Sequence, residues 1–146
     1  MRFFKEITTV GAGLAPAHDG FPNVQLTRVG KIIERNWIEI PTHYPNARID
    51  EYVIMPNHLH GILIICQNQG NNSFKERATA RVAPTLGSII GSFKSRCVVE
   101  NLNFIKKNEL NEIGKIWQRN YYEHVIRNDK ELGEIRKYIR ENPGKW

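Results

Sequence analysis

Cysteine is nearly absent from this chain, and its scarcity excludes several kinds of site. The 146 residues contain only Cys66 and Cys97, and no Cys-x-x-Cys pair occurs. A zinc knuckle or a thioredoxin-like redox site needs such a pair, so neither is expected. Two isolated thiols are typical of a reducing compartment, and the sequence therefore predicts a cytoplasmic protein.

Long apolar runs and an excess of acidic residues are missing as well. No apolar stretch reaches the roughly 18 residues that a membrane-spanning helix needs. The segment MRFFKEITTV lacks the apolar core and the cleavage site of a secretory signal. The net charge is +6, with 21 Lys and Arg against 15 Asp and Glu. A basic balance of this size favours a polyanionic partner, most often nucleic acid, and no membrane.

The apolar pattern that is present predicts one domain over residues 1–146, with an atypical N-terminal segment and loop at 1–23. Val29, Ile32, Ile33, Trp37 and Ile40 have helical spacing over 28–40. Further helices are expected from about Thr85 and after Asn128. The remaining assignments are strands at 1–9, 24–27, 47–55, 59–66 and 116–126, and irregular structure at 101–114. This order predicts an α+β fold, an antiparallel sheet with helices packed on one face.

His58 and His60 are the most informative residues, because they lie inside a segment that otherwise looks like a buried strand. Side chains alternate along a strand, so both imidazoles point the same way and Leu59 points to the other face. Two imidazoles on one sheet face suit a divalent metal ion better than an apolar core. Gly61 then leaves room nearby, where a ligand or another backbone could approach.

The terminal helix carries a second group of polar residues. Tyr138 and Asn142 are four residues apart, so they share one helix face. A phenol has a pKa near 10 and needs neighbouring cations or a metal-polarised target to attack at neutral pH. Four basic residues surround the pair: Arg136, Lys137, Arg140 and Lys145. An amphipathic helix whose tyrosine packs at the core edge is the plainer interpretation of the same pattern.

Three motifs taken together resemble the REP-associated tyrosine transposases, which belong to the HUH single-tyrosine transposases of single-stranded DNA. They are MPNHLHGI, WQRNYYEHVIRN and YIRENPGKW, in the family's order and spacing, and the resemblance covers about residues 24–146. The resemblance implies a ferredoxin-like, RRM-like sheet. It also implies that His58, His60 and Asn142 bind Mg²⁺ or Mn²⁺ and that Tyr138 is the nucleophile. Tyr121 and Tyr122 are rival nucleophiles.

The resemblance further implies a substrate of single-stranded or hairpin DNA. The basic and aromatic residues expected to bind this DNA are Lys94, Arg96, Arg119, Tyr121, Arg127, Arg136, Lys137 and Arg140. Trp117, Tyr121 and Tyr122 could stack on unpaired bases, although packing on the sheet face explains each of them equally well. A homodimer is compatible with the sequence, which leaves the oligomeric state and the recognised DNA sequence open.

The chain departs from the family at its start. Relatives open with a strand like Tyr-Phe-Val-Thr, and no such strand is recognisable here. Residues 3–7 match what normally follows it, and the Gly-Ala-Gly-Leu-Ala-Pro-Ala stretch looks like an insertion. The sheet is therefore expected to lack its interior first strand.

Three functions remain open from the sequence. The leading hypothesis is a metal-dependent endonuclease and transposase that acts through a 5′-phosphotyrosine intermediate. The second is a weak or inactive nucleic-acid-binding remnant, which the missing strand favours. The third is a metal-dependent hydrolase that uses the histidines alone.

Overall fold

A computed structural model describes residues 2–9, 14–15, 25–66 and 84–145, and every structural statement below refers to these residues. No helix within these ranges combines the length and the apolar character of a membrane span. The elements are β1 (Arg2–Thr9), β2 (Leu14–Ala15), β3 (Gln25–Leu26), α1 (Arg28–Ile38), α2 (Ile40–His43), β4 (Ala47–Ile54), β5 (His58–Ile65), α3 (Leu86–Lys107), β6 (Trp117–Ile126), α4 (Asp129–Glu141) and a final 3₁₀ turn (Asn142–Lys145).

The main sheet has four antiparallel strands in the order β4-β5-β1-β6. Helix α1 connects β1 to β4, and α3 connects β5 to β6. This is the β-α-β-β-α-β connectivity of ferredoxin-like folds. The predicted α+β, ferredoxin-like class is therefore confirmed. Most of the predicted loop at 10–23 lies outside the described residues, which contain only its Leu14–Ala15 strand.

The prediction that the interior strand is missing is wrong, because β1 occupies that position. Phe4 pairs in register with Ile62 of β5 on one side and with His124 of β6 on the other. Aromatic and β-branched residues in β1 suit a paired strand. The prediction failed because it looked for a family sequence, whereas backbone pairing accepts many sequences of this type.

Helix α3 is longer than predicted, and the assignment of 101–114 as irregular is wrong for its first part. The helix begins after Thr85, whose hydroxyl accepts from the Ser88 backbone N–H at 3.2 Å, and it continues to Lys107. No glycine or proline occurs between Ser92 and Ile113 to end it earlier.

The main core lies between the sheet and the layer formed by α1 and α3. Leu59 and Leu63 of β5 face this layer and belong to one buried cluster with Trp37 of α1 and Phe93 of α3. The ring centroids of Trp37 and Phe93 are 5.3 Å apart. A Cβ added at Gly61 would lie 2.4 Å from Trp37 Cζ2. The prediction that Gly61 leaves room beside the histidines is therefore wrong. The glycine faces away from them and admits the indole.

Helix α4 packs on the opposite face of the sheet, which the prediction of helices on one face did not include. Its Leu132 and Ile139 form a small buried cluster with Ile62 of β5 and Ile126 of β6. His58 and His60 are four and two residues before Ile62 in β5, so their side chains point to the same face of the sheet as that of Ile62. The histidines therefore lie on the face that α4 partly covers.

Candidate metal and nucleophile site

A tight hairpin between β4 and β5 delivers the two histidines. The Met55 N–H donates to the His58 carbonyl at 2.7 Å, and this bond closes the turn over Pro56 and Asn57. The imidazole centroids of His58 and His60 are 4.5 Å apart and tilted by 46°. The predicted placement of both rings on one sheet face is confirmed.

Burial keeps His60 neutral. The residue is 1% exposed. Burial first, and then the charge of His58, lowers the pKa of His60 to about 4. A neutral imidazole is the form that a metal ion binds. His58 is half-buried, and its Nδ1 lies 2.6 Å from the Asn57 side-chain oxygen. In the tautomer that donates this bond, Nε2 of His58 carries the lone pair, which is the form of the ring that can bind a metal ion.

The terminal helix and the turn after it bring Tyr138 and Asn142 to His60. The Tyr138 ring lies 5.3 Å from the His60 ring, with an angle of 30° between the planes. The Asn142 amide Nδ2 lies 3.4 Å from His60 Nδ1, a contact between residues 82 positions apart. Asn142 is 8% exposed, whereas Tyr138 is 43% exposed.

The start of α4 is fixed by a capping network around Asn128 and Glu131. Asn128 Oδ1 accepts from the Glu131 N–H at 2.8 Å. The Glu131 carboxylate accepts from the Arg127 N–H at 2.8 Å and contacts His124 Nε2 at 2.5 Å. The bond from Arg127, and then that from His124, lowers the pKa of Glu131. The cap ties the start of α4 to the end of β6.

Two arginines near Tyr138 are engaged by carboxylates of β4. Arg136 Nη2 lies 2.7 Å from an Asp50 oxygen, and Arg140 Nη2 lies 3.0 Å from a Glu51 oxygen. Lys137 lies on the exposed side of α4, with its amine 3.7 Å from Glu141. Sequence reasoning missed Asp50 and Glu51 entirely. The only signal in the sequence was that Arg136 and Arg140 are one helical turn apart, and this spacing does not identify the acidic residues that they contact.

The other residues predicted to bind DNA are spread over both sides of the sheet. Arg119 and Arg127 are exposed at the two ends of β6. Lys94 and Arg96 lie on α3, behind the sheet as seen from the histidines. The Tyr121 side chain lies outside the described residues.

The aromatic residues of β6 also divide between the two faces. Trp117 packs against Phe93 at 5.4 Å and donates from Nε1 to the Lys94 carbonyl, so it belongs to the core layer. Tyr122 is 55% exposed. Through Glu6 of β1, Tyr122 shares a register row with His60. Tyr122 therefore lies on the same face of the sheet as the histidines.

A Mg²⁺ or Mn²⁺ ion at this site would need the side-chain amide of Asn142 as a ligand in addition to the two histidines. Within the described ranges, no group of three or more His, Cys, Asp and Glu side chains converges on one position. The Asn142 amide oxygen is a donor that Mg²⁺ and Mn²⁺ favour, and the two neutral imidazoles add nitrogen donors of the kind that divalent transition metals bind. The amide oxygen and nitrogen of Asn142 exchange places when the group turns over. The residues present therefore fit the ion.

Comparison with known proteins supports the family resemblance, although no protein-family model matches the chain. An uncharacterised protein of Haemophilus influenzae is 42% identical over 130 residues, which cover 84% of this chain and 69% of that protein. A candidate REP-associated tyrosine transposase of the same organism is 31% identical over 103 residues, covering 70% of this chain. The match spans about half of that relative, 52% of its length.

Two solved structures share the fold. A REP-associated tyrosine transposase bound to a REP hairpin matches with a TM-score of 0.59 and 19% identity, covering 99% of this chain and 67% of that chain. A candidate transposase from Deinococcus radiodurans matches with a TM-score of 0.51 and 12% identity, covering 97% of this chain and 89% of that chain. The chain is therefore similar to the REP-associated tyrosine transposases, in sequence to the curated relative and in fold to the solved structures.

Proposed function

We propose that this protein is a metal-dependent endonuclease and transposase of single-stranded DNA that cuts and rejoins hairpin, REP-type sequences. One observation carries the proposal: α4 and the turn after it bring Tyr138 and Asn142 onto His60, across 82 positions of sequence in the case of Asn142. A phenol beside two neutral imidazoles and an amide is a nucleophile next to a metal-ligand set.

The proposed reaction exchanges one phosphodiester for another. Tyr138 Oη attacks a backbone phosphorus in line, and the bond from phosphorus to the DNA 3′ oxygen breaks. The phenol proton passes to solvent, and the leaving 3′ oxygen takes up a proton. The 5′ end stays attached as a phosphotyrosine. A second DNA 3′-OH then attacks this link, rejoins the strands and returns the phenol. No nucleotide cofactor is needed, because the ester bond is conserved.

His58, His60 and Asn142 would hold a Mg²⁺ or Mn²⁺ ion, which supplies a Lewis acid and a template when bound. The chain's own residues prepare this role. Burial keeps His60 neutral at physiological pH. Asn57 orients the His58 ring. Asn142 is buried against His60, so its side chain loses little freedom on binding an ion.

The DNA is proposed to cross the open part of the sheet beside α4. Tyr138 and Tyr122 are both well exposed there. Tyr122 would stack on an unpaired base, and exposed cations such as Arg119, Arg127 and Lys137 would contact phosphates. Lys94 and Arg96 lie on the other side of the sheet, where they would meet only DNA that wraps around the molecule.

The hypothesis of a non-catalytic remnant has lost the observation that favoured it. It rested on a missing interior strand, and β1 fills that position between β5 and β6. A hydrolase that uses the histidines alone would not need Tyr138, so this hypothesis does not explain why the Tyr138 ring packs against His60.

Covalent capture of DNA tests the proposal. Wild-type protein incubated with 3′-labelled hairpin DNA and Mn²⁺ should give a slow band on a denaturing gel, because a 5′-phosphotyrosine keeps the 3′ part of the strand on the protein. Tyr138→Phe should give none, and Tyr122→Phe serves as the matched control that still forms the band. Cleavage with free 5′-phosphates and no band would support the hydrolase. Binding without cleavage by the wild type would support the remnant.

Metal binding is tested separately by titrating Mn²⁺ into the protein without DNA. His58→Ala and His60→Ala should each lower the affinity at least about tenfold, as expected when one ligand is removed. Tyr138→Phe should bind like the wild type, since the phenol is not a proposed ligand. Equal binding by all four proteins would contradict the proposed metal site.

A further inference from the structure

Strand β4 contains one extra residue relative to its partner β5, next to α4, the helix that carries Tyr138. Ile49 pairs with Leu63 and Tyr52 pairs with Gly61, so three steps along β4 match two steps along β5. Asp50 and Glu51 fill the irregular part. Consecutive residues of a regular strand point to opposite faces. A β-bulge removes this alternation locally and re-aims side chains, and such bulges are common next to active sites.

The bulge lets two successive carboxylates contact the same helix. Arg136 places Nε at 2.9 Å and Nη2 at 2.7 Å from Asp50 Oδ2. Arg140 places Nε and Nη2 both at 3.0 Å from Glu51 Oε1. The two arginines are one helical turn apart. We call these four residues the α4 clamp.

The clamp and the candidate site lie on opposite flanks of α4. At about 100° per residue, Arg136 and Arg140 lie on one side of the buried Ile139, and Tyr138 and Asn142 lie on the other. Rotation of the helix about its axis would therefore lift one flank as it lowers the other. Only two α4 side chains in the described residues, Leu132 and Ile139, are fully buried beneath the helix. Such a narrow apolar contact resists rotation poorly.

From this geometry we infer that Asp50 and Glu51 are positioning residues, which fix the rotation of α4 so that Tyr138 and Asn142 meet His60. The catalytic part of this inference rests on the proposed function. It also gives Arg136 and Arg140 a role other than primary phosphate contacts, because their guanidinium groups are already engaged by carboxylates.

A structural test needs no activity. Asp50→Asn/Glu51→Gln removes both charges and keeps the shapes. The matched control, Glu134→Gln/Glu141→Gln, changes the net charge by the same amount as the clamp variant. Both of its substitutions lie on α4, and β4 is left unchanged. Proton NMR of the metal-free protein should show a nuclear Overhauser contact between the Tyr138 and His60 rings in the wild type and in the control. The clamp variant should lose most of it while its thermal transition stays cooperative.

Rescue and kinetics separate positioning from general stabilisation. Glu51→Arg/Arg140→Glu reverses one pair and should restore the ring contact that Glu51→Gln alone weakens. On labelled hairpin DNA, the clamp variant should lose kcat about tenfold or more with little change in KM, since a misplacement of about 1 Å can cost about 100-fold. If Asp50→Asn/Glu51→Gln does not fold, Glu51→Gln, whose pair is more exposed, carries the test.

An unchanged ring contact in every clamp variant would overturn the inference. So would tighter DNA binding with unchanged kcat, which would mean that the carboxylates merely restrain arginines that bind phosphate. If the wild type forms no DNA adduct at all, the proposed function fails, and the NMR comparison still decides whether the clamp positions α4.

Discussion

The two faces of the sheet are built in contrasting ways. The face under α1 and α3 is dry: Ile33, Trp37, Leu59, Leu63 and Phe93 are all 0% exposed. The face under α4 has a small apolar cluster, flanked by imidazoles, an amide, a half-exposed phenol and two arginine–carboxylate pairs. The contrast separates two tasks. One face supplies most of the buried apolar area that stabilises the fold, and the other holds the polar groups of the candidate site, of which Tyr138 is well exposed.

Acid should weaken the α4 face more than any single change discussed here. The folded-state pKa of His60 is about 4, below its ordinary value of 6.5. The unfolded chain therefore binds this proton more readily, and stability is lost as the pH falls from 6.5 towards 4. The full loss is about 3 kcal/mol at 1.36 kcal/mol per pKa unit. About 2 kcal/mol of this loss falls between pH 7 and pH 5, where urea unfolding in a chelator measures it, and His60→Gln should be less sensitive to pH. An equal loss in both proteins would contradict the buried, neutral histidine.

Crowding should cost stability on the dry face. Gly61→Ala places a methyl group 2.4 Å from Trp37 Cζ2, and the indole is packed against Phe93. We expect a loss of about 1–3 kcal/mol in the free energy of unfolding, the usual cost of overpacking. Combining it with Trp37→Phe should recover part of the loss, because the smaller ring leaves room. Denaturant unfolding of the three variants checks this, and a neutral Gly61→Ala would show that the layer yields easily.

The same substitution should have the opposite sign on the exposed side of α4. A Cβ at Gly133 would meet nothing within 4 Å. Alanine is favoured over glycine inside a helix, so Gly133→Ala should stabilise the protein by about 0.5–1 kcal/mol. The free energy of unfolding measured beside that of Gly61→Ala gives the comparison directly. A loss at both glycines would mean that α4 is packed as tightly as the main core.

Local sequence patterns predicted what depends on nearest neighbours. Strand alternation placed His58 and His60 on one face, and helical spacing placed Tyr138 and Asn142 on one side of the last helix. The meeting of the two pairs was implied by the family resemblance, because no local pattern reports a contact across 82 residues. Alternation alone would also have turned Gly61 away from the histidines, and the prediction that gave it a ligand's space ignored that rule.

Register and partner choice could not be predicted from one sequence. The extra residue at Asp50 and Glu51 becomes visible only when β4 is aligned with β5. The position of β1 depends on pairing with two strands that are distant in sequence. Trp117 had two plausible roles until its indole was placed against Phe93. These features are set by tertiary contacts, which composition and periodicity do not encode.

The central claim is that Tyr138, on the polar face, is the nucleophile, and identification of the DNA-linked residue tests it most directly. Protein trapped on hairpin DNA with Mn²⁺ is digested with nuclease and protease, and the nucleotide-bearing peptide is sequenced by mass spectrometry. The account predicts a phosphonucleotide on Tyr138. It also predicts that Tyr138→Phe forms no adduct, although its stability changes by less than about 1 kcal/mol. An adduct on Tyr121 or Tyr122, or one that persists in Tyr138→Phe, would contradict the account.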